Sequence, residues 1–548
     1  MPETATTIPH FVRDLAQAHG ERTAIVLDDH RLSFNDLERR SADLARGLLE
    51  LGVGKGGRVA IWMSNGPEWL VAWLAIGRIG ALTVPLNTFF KESELKWALG
   101  HADIHTLLLE DDPDGHDLFS RLATAVPDLT EARMGSLRLP AVPHLRHLVT
   151  WGGPGRASAI AHANPERPVG VESTIDHALL GAVEASVHPA DPLALLYTSG
   201  STGDPKGVIH SQGGILRHSH ALYRDRDLTS TDVVWSPMPF FWVGGLVFSL
   251  LGNLHAGAAT LCERSFDPPK TLALFEKQRV TVAVGWPHFG KALADDPTQG
   301  QRDLSALRAG NLAGVLPESV VSPDPELRPN SLGMTETCGP HTAVPSGVLP
   351  ESLRATFGTA MPGVEHRIVD PDSGEPLPPD GIGEIQVRGY SLMQGLYKRE
   401  REETFEADGF YATGDMGRFD EAGVLRFHGR RGEMIKTAGA NVTPGEVEAL
   451  MSAVASVGHA FVVGIPDPDR GQIVAAALVP EPGERPSVGD LRQHLKDSLA
   501  AYKVPRHFFV FDRLDELPFT DSGKLDRIAL ARQLQGLLPT GQRGGESG

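Results

Sequence analysis

Cysteine is nearly absent: Cys262 and Cys338 are the only two among 548 residues. So few thiols leave no basis for a disulfide framework or a Cys-rich metal site, and a reducing compartment is the simplest expectation. No uninterrupted apolar run reaches the roughly 18 residues of a membrane-spanning helix. The best candidate, Trp69 to Val84, is broken by Arg78. The first residues, Met-Pro-Glu-Thr-Ala-Thr-Thr, lack the basic start and apolar core of a signal peptide. A cytoplasmic location without an integral membrane segment is therefore expected. Positive charge is also short: 51 Lys and Arg stand against 69 Asp and Glu, a net charge of −18. That balance argues against a nucleic-acid surface and against docking on an anionic membrane. A local basic site for an anionic substrate remains compatible with it. No internal repeat is visible, and no G-x-x-x-x-G-K-[ST] motif occurs, so the P-loop NTPase mechanism does not transfer.

What is present is an ordinary globular composition, 41% hydrophobic and 22% charged. The length exceeds what one hydrophobic core supports, so two or more domains are expected. Ser33 reads as the N-cap of a helix with Asp36 in its first turn, followed by Leu37, Ala42, Leu44, Ala45, Leu48 and Leu49 at helical spacing. Arg58–Met63 reads as a buried strand, Pro67–Ile79 as a helix and Ala81–Pro85 as a strand. Such alternation implies a largely parallel sheet covered by helices. From about 355 to 430, short strands with Gly and Asp turns, such as Gly383–Gly389, predict an antiparallel β subdomain. After about 432 a smaller α/β pattern begins, with a helix over Val442–Val454 and strands near His459–Ile465 and Ile473–Val479.

The most informative stretch is Tyr197-Thr-Ser-Gly-Ser-Thr-Gly-Asp-Pro-Lys-Gly-Val208. The apolar run Leu193–Leu196 precedes it, so a strand should lead into a donor-rich loop. Glycines let backbone approach a ligand, and hydroxyls and free N–H groups serve phosphate oxygens. Thr198, Ser199, Gly200, Ser201, Thr202 and Gly203 form the loop, and Lys206 adds a positive charge.

Four further segments carry chemistry. Gly333-Met-Thr335-Glu336-Thr places a carboxylate beside hydroxyls. Tyr411-Ala-Thr-Gly-Asp415 sets an acceptor after a Gly turn. Gly429-Arg430-Arg431-Gly432-Glu433 runs on towards Pro444-Gly-Glu-Val-Glu448. Pro518-Phe-Thr-Asp-Ser-Gly-Lys524-Leu-Asp-Arg527 puts a lysine on a glycine turn. Each alone is ordinary turn, cap or surface chemistry.

In this order and at these distances, the five segments resemble the adenylate-forming superfamily of acyl-CoA synthetases, nonribosomal-peptide adenylation domains and beetle luciferases. The resemblance runs from about Thr23 to Leu530 and is most like an acid–CoA ligase. It implies an α/β fold: a large N-terminal domain, 1–431, of parallel α/β subdomains with a small β-barrel-like subdomain, and a smaller mobile α+β C-terminal domain, 432–548. It implies ATP, Mg²⁺ and coenzyme A as cofactors and a small carboxylic acid as substrate. The carboxylate attacks the α-phosphate, giving acyl-adenylate and pyrophosphate, and a thiol then displaces AMP. Carried over by position, Thr198–Lys206 holds the β- and γ-phosphates, Glu336 binds magnesium, and Thr335 lies near the α-phosphate. Asp415 and Arg430 reach the ribose. Lys524 bridges carboxylate and α-phosphate, Gly439 lines the pantetheine tunnel, and the pivot falls near Gly432.

Three positions depart from the pattern. Gly432 stands where many members carry Asp or Lys. Leu332 stands where an aromatic residue stacks on adenine, a loss of roughly 1 kcal/mol by analogy with base stacking. Trp242 replaces a common His and is expected at the acyl-pocket entrance. Phe241, Trp242, Gly244, Gly314, Gly333 and Cys338 make up the expected acid pocket. No Asp near Phe241-Trp242 awaits an α-ammonium, which favours a fatty or aryl acid. The alternative is a specialised adenylating enzyme that serves a carrier protein, or nitrite in ATP-dependent diazotisation. A monomer or homodimer is expected. His210, His218 and His220 lack Cys or carboxylate companions at metal spacing and read as packing and polar contacts.

Overall fold

The computed structural model describes residues 5–110, 117–131, 137–151, 174–198, 205–224, 226–312, 314–317, 320, 331–344, 350–354, 356–433, 435–437, 440–442, 444–467, 470–499, 501–520 and 525–538. The chain divides into two compact units, Met1–Glu365 with Arg388–Gly409, and His366–Val387 with Phe410–Gly548.

The first unit holds two large sheets. One runs Gly395–Leu396, Lys206–Ser211, Pro192–Thr198, Leu82–Pro85, Arg58–Trp62, Thr106–Glu110, His147–Trp151 in spatial order. Its inner pairings are parallel, and only the two at the Lys206–Ser211 strand are antiparallel. The other runs Ala309–Gly310, Val282–Ala283, Val233–Trp235, Ala259–Cys262, Thr23–Leu27, His30–Ser33, parallel except for its last pair. The predicted helix after Ser33 spans Phe34–Glu50. Its capping box is complete: the Ser33 hydroxyl accepts from Asp36 N–H, and the Asp36 carboxylate accepts from Ser33 N–H.

Arg78, which breaks the apolar run, ends the helix Pro67–Arg78 and is buried. Its Nε lies 2.5 Å from Glu184 Oε1, and its Nη1 donates to the Glu38 carbonyl and the Ser41 hydroxyl. The charge thus belongs to the core, held by partners. Among the described residues no helix is long and apolar enough to cross a membrane.

In the second unit, the antiparallel β region is a four-stranded sheet ordered Val364–Val369, Gly383–Gly389, Tyr411–Phe419, Leu425–Arg430. Its described strands make an open sheet, not a closed barrel; the first two residues of Val364–Val369 and the last two of Gly383–Gly389 fall in the first unit. A five-stranded sheet follows, centred on Val457–Asp467 and Gly471–Pro480. Strand alternation gives this sheet two apolar faces. Val474, Ala476 and Leu478 pack with Val447, Met451, Leu491 and Leu495 of two helices, while Ile473, Ala475 and Ala477 pack with Leu530 and Leu534 of a third. The helix predicted over Val442–Val454 is observed as Pro444–Ser452, after a strand Ala440–Val442. Pro444 takes the first helical position, where its missing N–H and fixed φ are tolerated.

Candidate active site

Thr198 and Lys206 are direct partners across an antiparallel pair of strands. The strand that ends at Thr198 has Leu193–Leu196 fully buried, so its exit point is fixed by the core. Ser199, Gly200, Ser201, Thr202 and Gly203 lie outside the described residues. Among the described residues no carboxylate pairs with Lys206. Gly207 is closely packed: a Cβ would sit 2.9 Å from Leu195 Cδ1 and 3.2 Å from Tyr397 Cβ, so both side chains would have to give. Tyr397 N–H donates to the Gly207 carbonyl, and His101 Nδ1 lies 2.9 Å from the Tyr197 hydroxyl. The base of the loop is therefore braced on both sides.

A second strand pair, Ser331–Met334 with Gly339–Ala343, presents the turn Thr335–Thr337. Leu332, half-buried, pairs with Thr342, and the register shifts at Gly333. A Cβ on Gly333 would meet the Gly339 carbonyl oxygen at 2.4 Å, so only glycine lets the strands close. The Thr337 hydroxyl donates to the carbonyls of Met334 and Gly339. The Glu336 side chain sits in this turn at 7% exposure, and its backbone carbonyl accepts from Met393 N–H at 2.8 Å. The Thr335 carbonyl accepts twice, from Cys338 N–H at 3.0 Å and from His210 Nε2 at 2.7 Å. Burial pushes His210 down to about 4, opposed by that hydrogen bond. Cys338 takes a left-handed φ of 63° and is fully buried, which pushes its thiol up.

Around the expected acid pocket, Phe241 is buried and Trp242 half-buried. Asn65 holds the segment before them: its Nδ2 donates to Met238 O, and its Oδ1 accepts from Phe240 N–H. Gly244 opens a π-helix, Gly244–Leu251. A Cβ on Gly245 would lie 2.0 Å from Pro239 O, so the chain approaches itself too closely there for any other residue. Aromatic rings continue outward from this point. Phe89 meets Phe241 at 5.9 Å, Phe241 meets Trp242 at 5.2 Å, and Trp242 meets Trp286 at 5.8 Å between centroids. Trp286 is 37% exposed. Its backbone is set by Asn311, whose side-chain amide both accepts from Gly285 N–H and donates to Gly285 O. Gly314, at φ +79°, lies three residues beyond Asn311, and a Cβ there would sit 2.7 Å from Ala294 Cβ.

In the second unit Asp415 and Arg430 face each other in strand register, with Arg430 Nε 2.9 Å from Asp415 Oδ1. The Asp415 side chain is 4% exposed and that of Arg430 49%. Glu384 braces both flanks: one carboxylate oxygen accepts from Gly414 N–H and the other from Arg431 Nη1. Gly432 is exposed, and a Cβ would meet nothing within 4 Å. Phe519 and Leu525 form an antiparallel bridge. Lys524 and Gly439 lie outside the described residues.

Of the three histidines, His210 bonds Thr335 and His218 Nδ1 lies 3.3 Å from the Tyr390 hydroxyl. His220 packs against the rings of Tyr223 and His255. Among the described residues no group of three His, Cys, Asp or Glu is placed to hold a metal. Trp286, Phe89, Asn65, Asn311 and the His210 contact were not found from the sequence. Trp286 had a local signal, a large aromatic between Gly285 and Pro287 after a strand. The asparagine and histidine contacts span up to 175 residues and had none.

A family model described as "AMP-binding enzyme" matches residues 12–397, and one described as "AMP-binding enzyme C-terminal domain" matches residues 446–524. The putative acyl-CoA synthetase YngI of Bacillus subtilis is 32% identical over 540 residues, covering 96% of both chains. A feruloyl-CoA synthase of Amycolatopsis is 32% identical over 511 residues, 92% of this chain and 94% of that one. Among solved structures, ATP-bound MatB from Rhodopseudomonas palustris superposes with a TM-score of 0.75 at 25% identity, over 97% of this chain and all of MatB.

Proposed function

The chain belongs to the AMP-binding enzyme family and is an AMP-forming acid–CoA ligase, and we propose which of its residues carry that reaction and on what acid. In the first half-reaction a carboxylate attacks the α-phosphate of ATP and pyrophosphate leaves. In the second, the thiol of CoA displaces AMP from the acyl-adenylate. The acid is already ionised at neutral pH, so the first step needs charge stabilisation and alignment rather than a strong base.

Thr198, Lys206 and the intervening loop hold the β- and γ-phosphates. The observation that supports this most directly is the pairing of Thr198 with Lys206. Glu336 is the carboxylate for Mg²⁺. One nearly buried carboxylate fits a cation that keeps phosphate oxygens and water as its other ligands. When bound, Mg²⁺ neutralises charge that develops on the leaving pyrophosphate. Thr335 stands beside the α-phosphate, and Leu332 covers the adenine. Asp415, its orientation supported by Arg430, accepts from the ribose hydroxyls. Lys524 bridges the acid and the α-phosphate, and its removal by rotation near Gly432 admits the thiol past Gly439.

The acid is apolar and lacks an α-ammonium. Its pocket is bounded by Phe241, Trp242, Gly244 and Gly314, and the exposed ring of Trp286 extends the wall. An aryl or ring-bearing acid suits that wall better than a short alkyl acid, because flat rings gain edge and face contacts of roughly 0.5–1.5 kcal/mol per pair. The setting proposed is the cytoplasm. The test is incubation with ATP, Mg²⁺ and a panel of acids, with and without CoA, following pyrophosphate, AMP and acyl-CoA. Acyl-CoA should form with at least one apolar acid. Steady AMP with a carrier protein or nitrite, and no acyl-CoA from any acid, would sink the CoA assignment.

A further inference from the structure

The strand Lys206–Ser211 touches two parts of the proposed site. Lys206 stands at its start. His210 is four residues on, so strand alternation turns both to the same face, about 13 Å apart at ~3.3 Å per residue. His210 is 1% exposed, and its hydrogen bond runs to the Thr335 carbonyl, 125 residues away in sequence. A carbonyl only accepts, so Nε2 carries the ring proton. The same carbonyl also takes Cys338 N–H, and the next one, that of Glu336, takes Met393 N–H. Both peptide groups flanking the Glu336 Cα are therefore held. One of those holds comes from the strand that begins at the phosphate-side lysine.

We infer that His210 is a positioning residue for adenylation: its Nε2–H ties the strand carrying Lys206 to the turn carrying Glu336. This rests on the reading of Glu336 as the magnesium-holding carboxylate. The bond touches neither ATP nor acid. It fixes the distance between the cation's carboxylate and the phosphate lysine, and a shift of about 1 Å in such a geometry can cost on the order of 100-fold in rate. Without the bond, the turn retains its own Cys338 and Met393 contacts but loses its register against the strand. The adenylation step should suffer and the thioester step should not, because no pyrophosphate or cation is needed there.

The experiment compares His210→Leu and His210→Gln in both half-reactions. Leu removes the donor at similar volume, and the amide of Gln can still reach the carbonyl. For H210L, the expected result is a fall in adenylation kcat of about 10- to 100-fold. Its Mg²⁺ requirement should rise, and its rate from supplied acyl-adenylate plus CoA should stay near wild type. H210Q should recover most of the loss. Equal impairment of H210L and H210Q, parallel loss of both half-reactions, or an unmoved Mg²⁺ requirement in H210L would overturn the inference. If H210L does not fold, ¹⁵N NMR of the unaltered protein decides. A His210 ring protonated at Nε2 that shifts on adding Mg·ATP supports the inference, and protonation at Nδ1, or no shift, overturns it. Glu336→Gln serves as the control for the reading beneath. If E336Q leaves the Mg²⁺ requirement unchanged, the assignment of Glu336 fails, whatever His210 does.

Discussion

The indole of Trp286 meets that of Trp242 edge to face, with centroids 5.8 Å apart and planes inclined at 61°. One ring comes from the turn before a helix, the other from the segment leading into the π-helix, and Asn311 and Asn65 fix the two backbones independently. If this corner reads the acid, Trp286→Ala and Trp242→Ala should each lower kcat/KM for ring-bearing acids relative to alkyl acids of equal carbon number. The expected change is about tenfold or less per ring, from an aromatic pair energy of roughly 0.5–1.5 kcal/mol. KM for ATP should hold. An unchanged acid profile in both variants would reduce the corner to packing.

How far this site could be read without coordinates depends on sequence distance. Ser33 and Asp36 are three residues apart, and the cap at Ser33 with an acid in the first turn was legible, though not the reciprocal bond from Ser33 N–H to Asp36. Also legible were the strand before Thr198 and the parallel alternation of the first unit, because periodicity and turn residues are local signals. The π-helix Gly244–Leu251 was not legible, since its apolar sequence suits an α-helix equally. Cys338 was expected to line the acid pocket, and its full burial came from the closing of two strands at Gly333, a tertiary event. Glu184, the buried carboxylate partner of Arg78, and Thr335, the partner of His210, each lie more than 100 residues away. Nothing in the local sequence marks which distant group will satisfy a buried polar side chain.

Arg78 offers a test of the core. Its guanidinium and the Glu184 carboxylate are each 3% exposed, and Arg13 also reaches Glu184 at 3.1 Å. Without Glu184 the buried guanidinium keeps one carboxylate, that of Glu38 at 3.0 Å, which is itself partly exposed. Glu184→Ala should therefore destabilise the first unit by about 2–3 kcal/mol, less than the full cost of an orphaned buried charge, measured by urea or thermal unfolding. A loss below about 1 kcal/mol, within the range of an exposed pair, would show that the pair is solvated in solution.

Acid sensitivity follows from buried neutral histidines. Burial pushes His255 down to about 3, His218 to about 4 and His366 to about 4. Each folded value lies below the ordinary imidazole value of about 6.5, so the unfolded chain takes protons first as pH falls. Stability should be full above about pH 6.5 and decline from there towards pH 4, by about 1.4 kcal/mol per pH unit for each such histidine. His255 stacks on Tyr223, and its Nε2 lies 3.0 Å from the Ser219 hydroxyl, which also donates to Leu216 O. His255→Phe should keep the ring contacts and flatten the pH dependence. Unfolding midpoints that do not move between pH 7 and 5, or an H255F variant with the wild-type slope, would contradict this.

The two half-reactions should separate genetically. Asp415 is held at both ends: its own N–H donates to the Thr413 hydroxyl, and Arg430 closes on its carboxylate. Asp415→Asn keeps the shape and removes the charge, so it should weaken ATP binding in adenylation, seen as a raised KM. Lys524→Ala should act differently. A lysine that bridges the acid and the α-phosphate is needed only while the P–O bond to pyrophosphate breaks, so its loss should lower kcat for adenylation by at least about 100-fold, the scale of one removed transition-state contact. Thioester formation from supplied acyl-adenylate and CoA should remain within about threefold of wild type, since that interaction is absent from the second transition state. Measured side by side, a K524A enzyme that loses both half-reactions equally would place Lys524 in a shared structural role and remove the case for a C-terminal domain that changes position between steps.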